Sequence, residues 1–166
     1  FDLFYLLQNP HPEPVDVTVS YFLPAGPAIV RAYRLEANSR TNVWVDREEP
    51  ALASTDVSAA ITSTRPIVVE RAMYLNAGGQ TFAAGHDSAG VTAPATQWFL
   101  AEGATGSYFD LFVLVANPGD EAASVEVTYL LPDGRTLARV HDVAARTRFT
   151  IWVDHEDPRL ADTAVS

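Results

Sequence analysis

One long segment occurs twice in this chain, and the repeat constrains the fold more than any other feature. Residues 1–58 align without a gap to residues 109–166 at a constant offset of 108, and 27 of the 58 aligned positions are identical. Such a match indicates a tandem repeat with a period of about 108 residues, which is close to the common size of a domain. The identical positions include Phe1-Asp2-Leu3-Phe4 and Phe109-Asp110-Leu111-Phe112, Asn9-Pro10 and Asn117-Pro118, and Trp44-Val45-Asp46 and Trp152-Val153-Asp154.

The composition is that of a folded, acidic protein. Apolar residues make up 48% and charged residues 19% of the sequence, which is enough apolar surface for a core. The net charge of −10 repels phosphate backbones and anionic lipids, so we expect no nucleic-acid partner. No apolar run approaches the roughly 18 residues of a membrane span, so we expect no direct membrane insertion. The absence of Cys excludes disulfides and thiolate sites.

Alternating apolar residues indicate β-strands throughout the chain. Val15, Val17, Val19 and Tyr21 are separated by single residues, and Val125, Val127 and Tyr129 repeat the pattern. This period of two is typical of a strand with one buried face. Leu-Pro-x-Gly follows in both copies and predicts a hairpin turn. The remaining predicted strands are 2–8, 28–35, 40–46, 55–63, 67–75 and 96–101, with 110–116, 136–143 and 148–154 in the second copy.

The strand pattern predicts an all-β fold of tandem immunoglobulin-like β-sandwich repeats. We expect antiparallel sheets with about seven strands per unit of about 108 residues. The sequence lacks the Cys…Trp…Cys core of antibody domains, so strand number alone carries this prediction. Residues 2–8 are nearly all apolar, which favours a central position in a sheet.

The predicted domains are residues 1–95 and residues 96–166. Residues 76–95 are rich in Gly, Ala, Ser and Thr and are predicted to be a junction without strands. The first unit is expected either to lack its first strand or to be completed by residues 96–101, and the second to be truncated at its C-terminal end. Open strand edges would then be filled through strand complementation by a neighbouring repeat or copy, by a further segment of the same polypeptide, or by another protein of an assembly.

Several motifs resemble a known repeat family. They are Glu70-Arg71-Ala72-Met73-Tyr74, the run from Gly85-His86-Asp87-Ser88-Ala89-Gly90 to Pro94, and Trp98-Phe99-Leu100-Ala101-Glu102-Gly103-Ala104-Thr105-Gly106. The chain resembles tandem repeats of large secreted or surface-exposed bacterial proteins that have no assigned activity. The resemblance implies a secreted or cell-surface location and a modular β-repeat role, and it transfers no catalytic residue.

Three tryptophans are the candidate site residues, either for a ligand or for contacts between units. Trp44 and Trp152 share strand parity with polar neighbours, so each is predicted on the outer face of its strand. Such a ring either stacks on a sugar, anchors a partner, or is covered by a loop or the next unit. Trp98 belongs to the apolar run at 98–100.

Two acidic turns and one polar motif contain residue types that can bind a metal or act as a catalytic group. Asp46 to Glu49 and Asp154 to Asp157 each carry three carboxylates, which suits either Ca²⁺ or solvated turn acids paired with Arg. His86-Asp87-Ser88 lacks the spacing of a nucleophile elbow and is predicted to be a loop. Glu70, Arg71 and Glu102 lie beside apolar strand residues and are expected to contribute to a partly buried Arg–carboxylate pair that holds neighbouring strands together.

These features together predict a structural or interaction module of an extracellular repeat protein, such as a stalk, filament or surface-layer component. The alternative is a β-sandwich that binds carbohydrate or another surface protein. No enzyme activity, cofactor or metal site is expected.

Overall fold

The computed structural model describes all of residues 1–166, which form two compact units. One unit contains Phe1–Tyr21 and Ile29–Ala93, and the other contains Phe22–Ala28 and Pro94–Ser166. Every strand pairing given by the structure is antiparallel, so the all-β, antiparallel prediction is confirmed. The strands are β1 (Asp2–Asn9), β2 (Val15–Phe22), β3 (Ile29–Leu35), β4 (Ser39–Trp44), β5 (Ser58–Ser63), β6 (Val68–Ala77), β7 (Gln80–Ala89), β8 (Gly103–Ala104), β9 (Phe112–Asn117), β10 (Ala123–Leu130), β11 (Thr136–Val143), β12 (Thr147–Trp152) and β13 (Ala164–Val165).

The first unit contains a four-stranded sheet and a three-stranded sheet. Their strand orders are β4-β1-β6-β7 and β3-β2-β5. β1 has a strand on each side, which confirms its predicted central position and explains why it is nearly all apolar. The order differs from that of an antibody constant domain, where the first strand lies at a sheet edge beside the second. The strand number therefore agrees with the immunoglobulin-like prediction, whereas the strand order does not.

Alternating side chains build the core of the first unit. Val15, Val17, Val19 and Tyr21 on β2 are almost completely buried, and the residues between them are exposed or only partly covered. Tyr5 is buried on β1, and its ring lies 6.2 Å from the ring of Tyr21. Burying each such side chain stabilises the fold by about 1.5–3 kcal/mol, which fixes the register of each strand because a one-residue slip would expose the whole set.

The prediction that residues 76–95 form a strandless junction was wrong. β6 continues to Ala77, and β7 (Gln80–Ala89) returns beside it as a sheet edge. Gly78 and Gly79 have φ values of 60° and 77°, the positive angles that a two-residue hairpin turn requires. β7 also supplies the seventh strand of this unit. Residues 96–101 are not a strand.

The strand pairings of residues 1–58 recur 108 residues later. Phe4 pairs with Trp44 and Phe112 with Trp152, while Val15 pairs with Leu35 and Ala123 with Val143. The second unit contains three two-stranded pairs, β12-β9, β10-β11 and β13-β8. Its core is the buried cluster of Tyr129, Leu131, Leu137, Ile151, Val153, Leu160 and Val165.

A buried amide ends the first strand of each copy. Asn9 is fully buried, and its Nδ2 donates to Glu13 O at 2.8 Å and to Glu36 O at 2.9 Å, while its Oδ1 accepts from His11 N. Asn117 makes the same bonds to Glu121 O and Ala144 O at 2.8 and 3.2 Å. In each copy, one asparagine side chain therefore forms hydrogen bonds with backbone groups of two turns. Sequence reasoning treated Asn-Pro only as a strand ending.

A phenol network differs between the two copies. The hydroxyl groups of Tyr21 and Tyr33 lie 2.9 Å apart, and Tyr33 donates to Glu48 Oε2 at 2.5 Å. Burial raises the pKa of Tyr33, and its hydrogen bond to Glu48 raises that pKa further, so the phenol stays neutral near pH 7.

His141 replaces Tyr33 in the second copy and breaks this network. His141 Nε2 lies 3.2 Å from Glu156 Oε2 without the alignment of a hydrogen bond. The hydroxyl of Tyr129, which corresponds to Tyr21, is buried without a hydrogen-bond partner. Burial is the main reason that the pKa of Tyr129 rises to about 12.

This difference predicts opposite effects for the same substitution. Tyr21→Phe removes a satisfied hydrogen bond and should lower the free energy of unfolding of the first unit by about 1 kcal/mol. Tyr129→Phe removes an unpaired buried hydroxyl and should be neutral or stabilising. Denaturant melts of the two variants beside the parent chain measure both effects. Equal losses in the two variants would contradict this account of the hydroxyl groups.

Candidate interaction surface

Trp44 lies on the outer face of the four-stranded sheet, as its strand parity indicated. It pairs with Phe4 on β1, while its neighbours Val43 and Val45 are buried on the core side. The rings of Phe4 and Trp44 are 5.0 Å apart. The outer face of this sheet is thus aromatic at the end where β4 meets β1.

The hairpin of β6 and β7 covers this aromatic pair. Tyr74 on β6 lies 5.8 Å from Phe4, in an edge-to-face arrangement. Phe82 on β7 lies 4.9 Å from Tyr74, 6.1 Å from Phe4 and 6.4 Å from Trp44. We call Phe4, Trp44, Tyr74 and Phe82 the aromatic cluster. Ring pairs at these distances contribute about 0.5–1.5 kcal/mol each beyond the burial of their area.

A bulge in β7 places Phe82 in the aromatic cluster. The register shifts between Leu75 and Ala77, and Phe82 has a φ of 56°, a left-handed value that costs a non-glycine residue about 1–2 kcal/mol. Asn76 Oδ1 accepts from Phe82 N at 2.8 Å, and Asn76 Nδ2 donates to Asp2 Oδ2 at 2.6 Å. Bulges commonly redirect a side chain in this way. The local strain is therefore balanced by ring contacts and by the Asn76 amide.

Arg47 occupies one face of the Trp44 ring. Its guanidinium carbon lies 3.5 Å from the ring centroid, which is the geometry of a cation–π contact. With Phe4 and Phe82 also beside the ring, Trp44 is half-buried by residues of its own unit. A sugar could stack on Trp44 only after one of these groups moved away. The structure thus favours the covered alternative for Trp44.

The equivalent face of the second unit is open. Phe112 and Trp152 form the same pair at 5.4 Å, but they remain 46% and 43% exposed. Leu114, two residues further along β9 on the same face, is 48% exposed. Only His155, at 4.1 Å, lies edge-on against the Trp152 ring. We call Phe112, Leu114 and Trp152 the open face.

Two strand edges in the second unit have no partner strand, one on β9 in the sheet of the open face and one on β10 in a different sheet. β9 pairs with β12 alone, whereas its counterpart β1 pairs with both β4 and β6. β10 pairs with β11 alone, whereas its counterpart β2 also borders β5. At one end of β10, Leu130 exchanges backbone hydrogen bonds with Ser166, at 2.8 and 3.2 Å. Unpaired backbone groups along a strand are a template for another strand.

Trp98 lies apart from the open face. Its ring is 56% exposed, its Nε1 donates to Ala95 O at 3.2 Å, and no ring contact joins it to Trp152. The neighbouring Phe99 and Leu100 are also exposed. The apolar content of 98–100 predicted a strand, but these side chains pack against no sheet. The structure therefore gives Trp98 no shared site with Trp152.

The carboxylates of the acidic turns point to separate partners. Asp46 Oδ2 accepts from Leu3 N at 2.8 Å, Glu48 accepts from Tyr33, and Glu49 pairs with Arg31. Asp154 repeats the first of these bonds with Leu111 N at 3.0 Å. The structure contains no cluster of three or more His, Cys, Asp or Glu side chains that could hold a metal ion. These acids secure the turns after β4 and β12 to neighbouring backbone and side chains.

Two arginines surround Asp157. Its oxygens accept from Arg159 N and Nε at 3.0 and 2.8 Å and from Arg139 Nη2 at 2.6 Å. The hydrogen bond from the Arg159 side chain is the largest reason that the pKa of Asp157 lies below its usual range. The stabilisation that follows from this shift is present above the ordinary pKa of about 3.9 and is lost as pH falls below it.

Two predictions about polar residues were wrong. His86, Asp87 and Ser88 lie on β7 rather than in a loop, and adjacent strand residues point to opposite faces, so Asp87 faces away from the other two. Arg71 does not form the expected ion pair with a carboxylate of a neighbouring strand, and its Nε is buried without a hydrogen-bond partner. β7 was not predicted because its side chains are small and exposed and do not alternate between apolar and polar.

Comparison with known proteins adds no relative. No family model, no curated protein and no solved structure matches the chain. The structure also contains no helix long and apolar enough to span a bilayer. The site is thus defined by its own geometry: a Phe4–Trp44 pair covered by neighbouring groups in one unit and an open face in the other.

The different covering of the two tryptophans is testable. Trp44→Ala should lower the unfolding free energy of the first unit by about 2–3 kcal/mol, below the range for a fully buried Trp because the ring is half-buried. Trp152→Ala should lower the unfolding free energy of the second unit by a clearly smaller amount, because the Trp152 ring contacts fewer groups. Hydrogen exchange resolved along the chain measures each unit separately. A larger cost at Trp152 would contradict the described contacts.

The pKa of Asp157 predicts an acid-linked loss of stability. Asp157→Asn should destabilise the second unit at pH 7, and its melting temperature should converge with that of the parent chain as pH falls from about 4 toward 2. Thermal melts across this range are the measurement, with the exposed Glu121→Gln as control. A difference that stayed constant down to pH 2 would show that the carboxylate charge is not responsible.

Proposed function

We propose that this chain is a structural and interaction module of an extracellular bacterial repeat protein, such as a stalk, filament or surface-layer component. Its units are two-sheet β-sandwiches of immunoglobulin-like architecture with their own strand order. Each unit contacts neighbouring repeats or copies of the same protein, and strand complementation is the mode of contact. The protein acts outside the cell, either secreted or attached to the surface.

The observation that carries this proposal is what the two copies share. The identical positions maintain the scaffold: the Asn9 and Asn117 amides, the Asp46 and Asp154 carboxylates bound to backbone, and the register between their strands. The polar side chains differ more, as at Tyr33 and His141. A repeat that keeps its scaffold while its polar groups vary is suited to building an array.

Surface charge and motif resemblance also support the proposal. A net charge of −10 keeps copies from associating without specific contacts. The Glu70 to Tyr74 and Trp98 to Gly106 motifs resemble those of secreted bacterial repeat proteins. Both features fit a modular protein that meets its neighbours through a defined surface.

A carbohydrate- or protein-binding sandwich is the second candidate, and the exposed rings favour it. Trp152 is 43% exposed, and an amphipathic ring at a surface can stack on a sugar. Glycan binding that is lost in Trp152→Ala, at an unchanged melting temperature, would favour this candidate. Absence of glycan binding would leave the array role.

Chains that contain one, two and four copies of residues 1–108 test the array role. Particle length in negative-stain images should grow by a constant increment per period, because each unit contacts only its neighbours. Unfolding free energy should grow with copy number as well. A four-period chain that collapses into a compact particle would overturn the proposal.

A further inference from the structure

The sequence contains one Asp-Gly pair, Asp133-Gly134, in the turn between β10 and β11, and it contains no Asn-Gly pair. We propose that this pair is a modification site at which the aspartate converts spontaneously to isoaspartate, and that the Arg135 side chain slows the conversion. The corresponding pair of the first copy is Ala25-Gly26, which has no carboxyl group to react. The modification therefore distinguishes the two copies, and it requires no neighbouring repeat.

The reaction uses only the groups of this turn and water. The amide nitrogen of Gly134 attacks Cγ of Asp133, the N–Cγ bond forms, and the amide hydrogen leaves with the hydroxyl of the protonated carboxyl as water. The product is a five-membered succinimide ring. Water then adds to one of the two ring carbonyls: opening at Cγ restores aspartate, whereas opening at the main-chain carbonyl leaves the chain running through Cγ as isoaspartate. One water leaves and one adds, so the mass is unchanged and no oxidant or reductant takes part.

The turn leaves both reacting groups accessible. The Asp133 side chain is 50% exposed, so water reaches its carboxyl group. Gly134 has no Cβ to crowd the attack on Cγ, and no atom lies within 4 Å of the place where a Cβ would stand. The site therefore combines a carboxyl group, an unhindered amide and access to water, which are the three requirements of the reaction.

Hydrogen bonds hold the two reacting groups in other contacts. Asp133 Oδ1 accepts from Arg135 N at 3.0 Å, and Asp133 Oδ2 accepts from Arg135 Nε at 2.6 Å. Gly134 N donates to Leu131 O at 3.0 Å. Ring closure therefore requires that the carboxyl group leave Arg135 and that the Gly134 amide leave Leu131. The bond from the guanidinium is the one that a substitution removes without changing the backbone.

Arg135 also keeps the carboxyl group ionised. The backbone hydrogen bond from Arg135 is the largest reason that the pKa of Asp133 lies below its usual range, and the bond from the Arg135 side chain is the second. The ionised carboxylate reacts poorly with an amide, because the oxygen that leaves must carry a proton. Loss of the guanidinium therefore frees the carboxyl group and increases its protonated fraction.

Isoaspartate lengthens the main chain beside the core of the second unit. The added methylene group lies between Leu131 and Leu137, which both belong to the buried cluster of that unit. The hydrogen bond from Leu131 N to Arg135 O, at 2.9 Å, and the pairing of Leu130 with Thr136 both span the lengthened segment. The second unit should therefore lose stability as the product accumulates, while the turn of the first unit stays unchanged.

Ageing the chain 1–166 at neutral pH tests the proposal. Isoaspartate is measured by enzymatic methylation of its free α-carboxyl group and located by peptide mapping. Arg135→Ala should form isoaspartate at residue 133 at least fivefold faster than the parent chain, and an unstructured peptide of residues 129–139 should react faster still. Asp133→Ala, which copies Ala25 of the first copy, should remove the signal. Arg146→Ala is the matched control, because it removes another exposed Arg–Asp pair of the second unit and should leave the rate at residue 133 unchanged.

Thermal melts before ageing check that each variant is folded. Should Arg135→Ala unfold the second unit, Arg135→Lys retains the charge without the Nε donor and should react at a rate between those of the parent chain and the peptide. Equal rates in the parent chain and the Arg135 variant would overturn the protective role of Arg135, and so would an equal acceleration by Arg146→Ala. A peptide that forms no isoaspartate at residue 133 would overturn the modification site itself.

Discussion

Both copies of the repeat depend on one buried amide at the end of their first strand. Asn9 and Asn117 each hold the chain where it leaves the first strand and where it turns between the third and the fourth. Removing the amide would leave several buried backbone groups without partners, at about 1–3 kcal/mol for each. This attachment helps to fix the register of that strand and therefore the position of the aromatic pair.

The two units share this register but differ in what covers the aromatic pair. Phe4 packs on Trp44 as Phe112 packs on Trp152, but only the first ring pair is covered by the β6–β7 hairpin. Arg47 stacks on Trp44, whereas His155 meets Trp152 edge-on. In the first unit β6 and β7 occupy the strand edge and the aromatic face that are open in the second unit.

Sequence patterns predicted the buried strands well, because alternating apolar residues, as from Val15 to Tyr21, show which face of the strand packs on the core. They also placed Trp44 and Trp152 on the outer face. They failed for β7, whose small exposed side chains carry no periodicity, although Gly78-Gly79 was a readable hairpin signal. They failed again at 96–101, where apolar residues lie outside any sheet. Phe82 lies beside Trp44 because its φ is positive, and no local sequence pattern predicts that angle.

The most direct measurement of the central claim is native-state hydrogen exchange on the chain 1–166 by itself. The account predicts that β9 amides directed away from β12 exchange far faster than the corresponding β1 amides, which β6 protects. The rates of β9 amides directed toward β12 should approach those of their β1 counterparts. Equal protection on both sides of β9 would show that its edge is already occupied and would contradict the account.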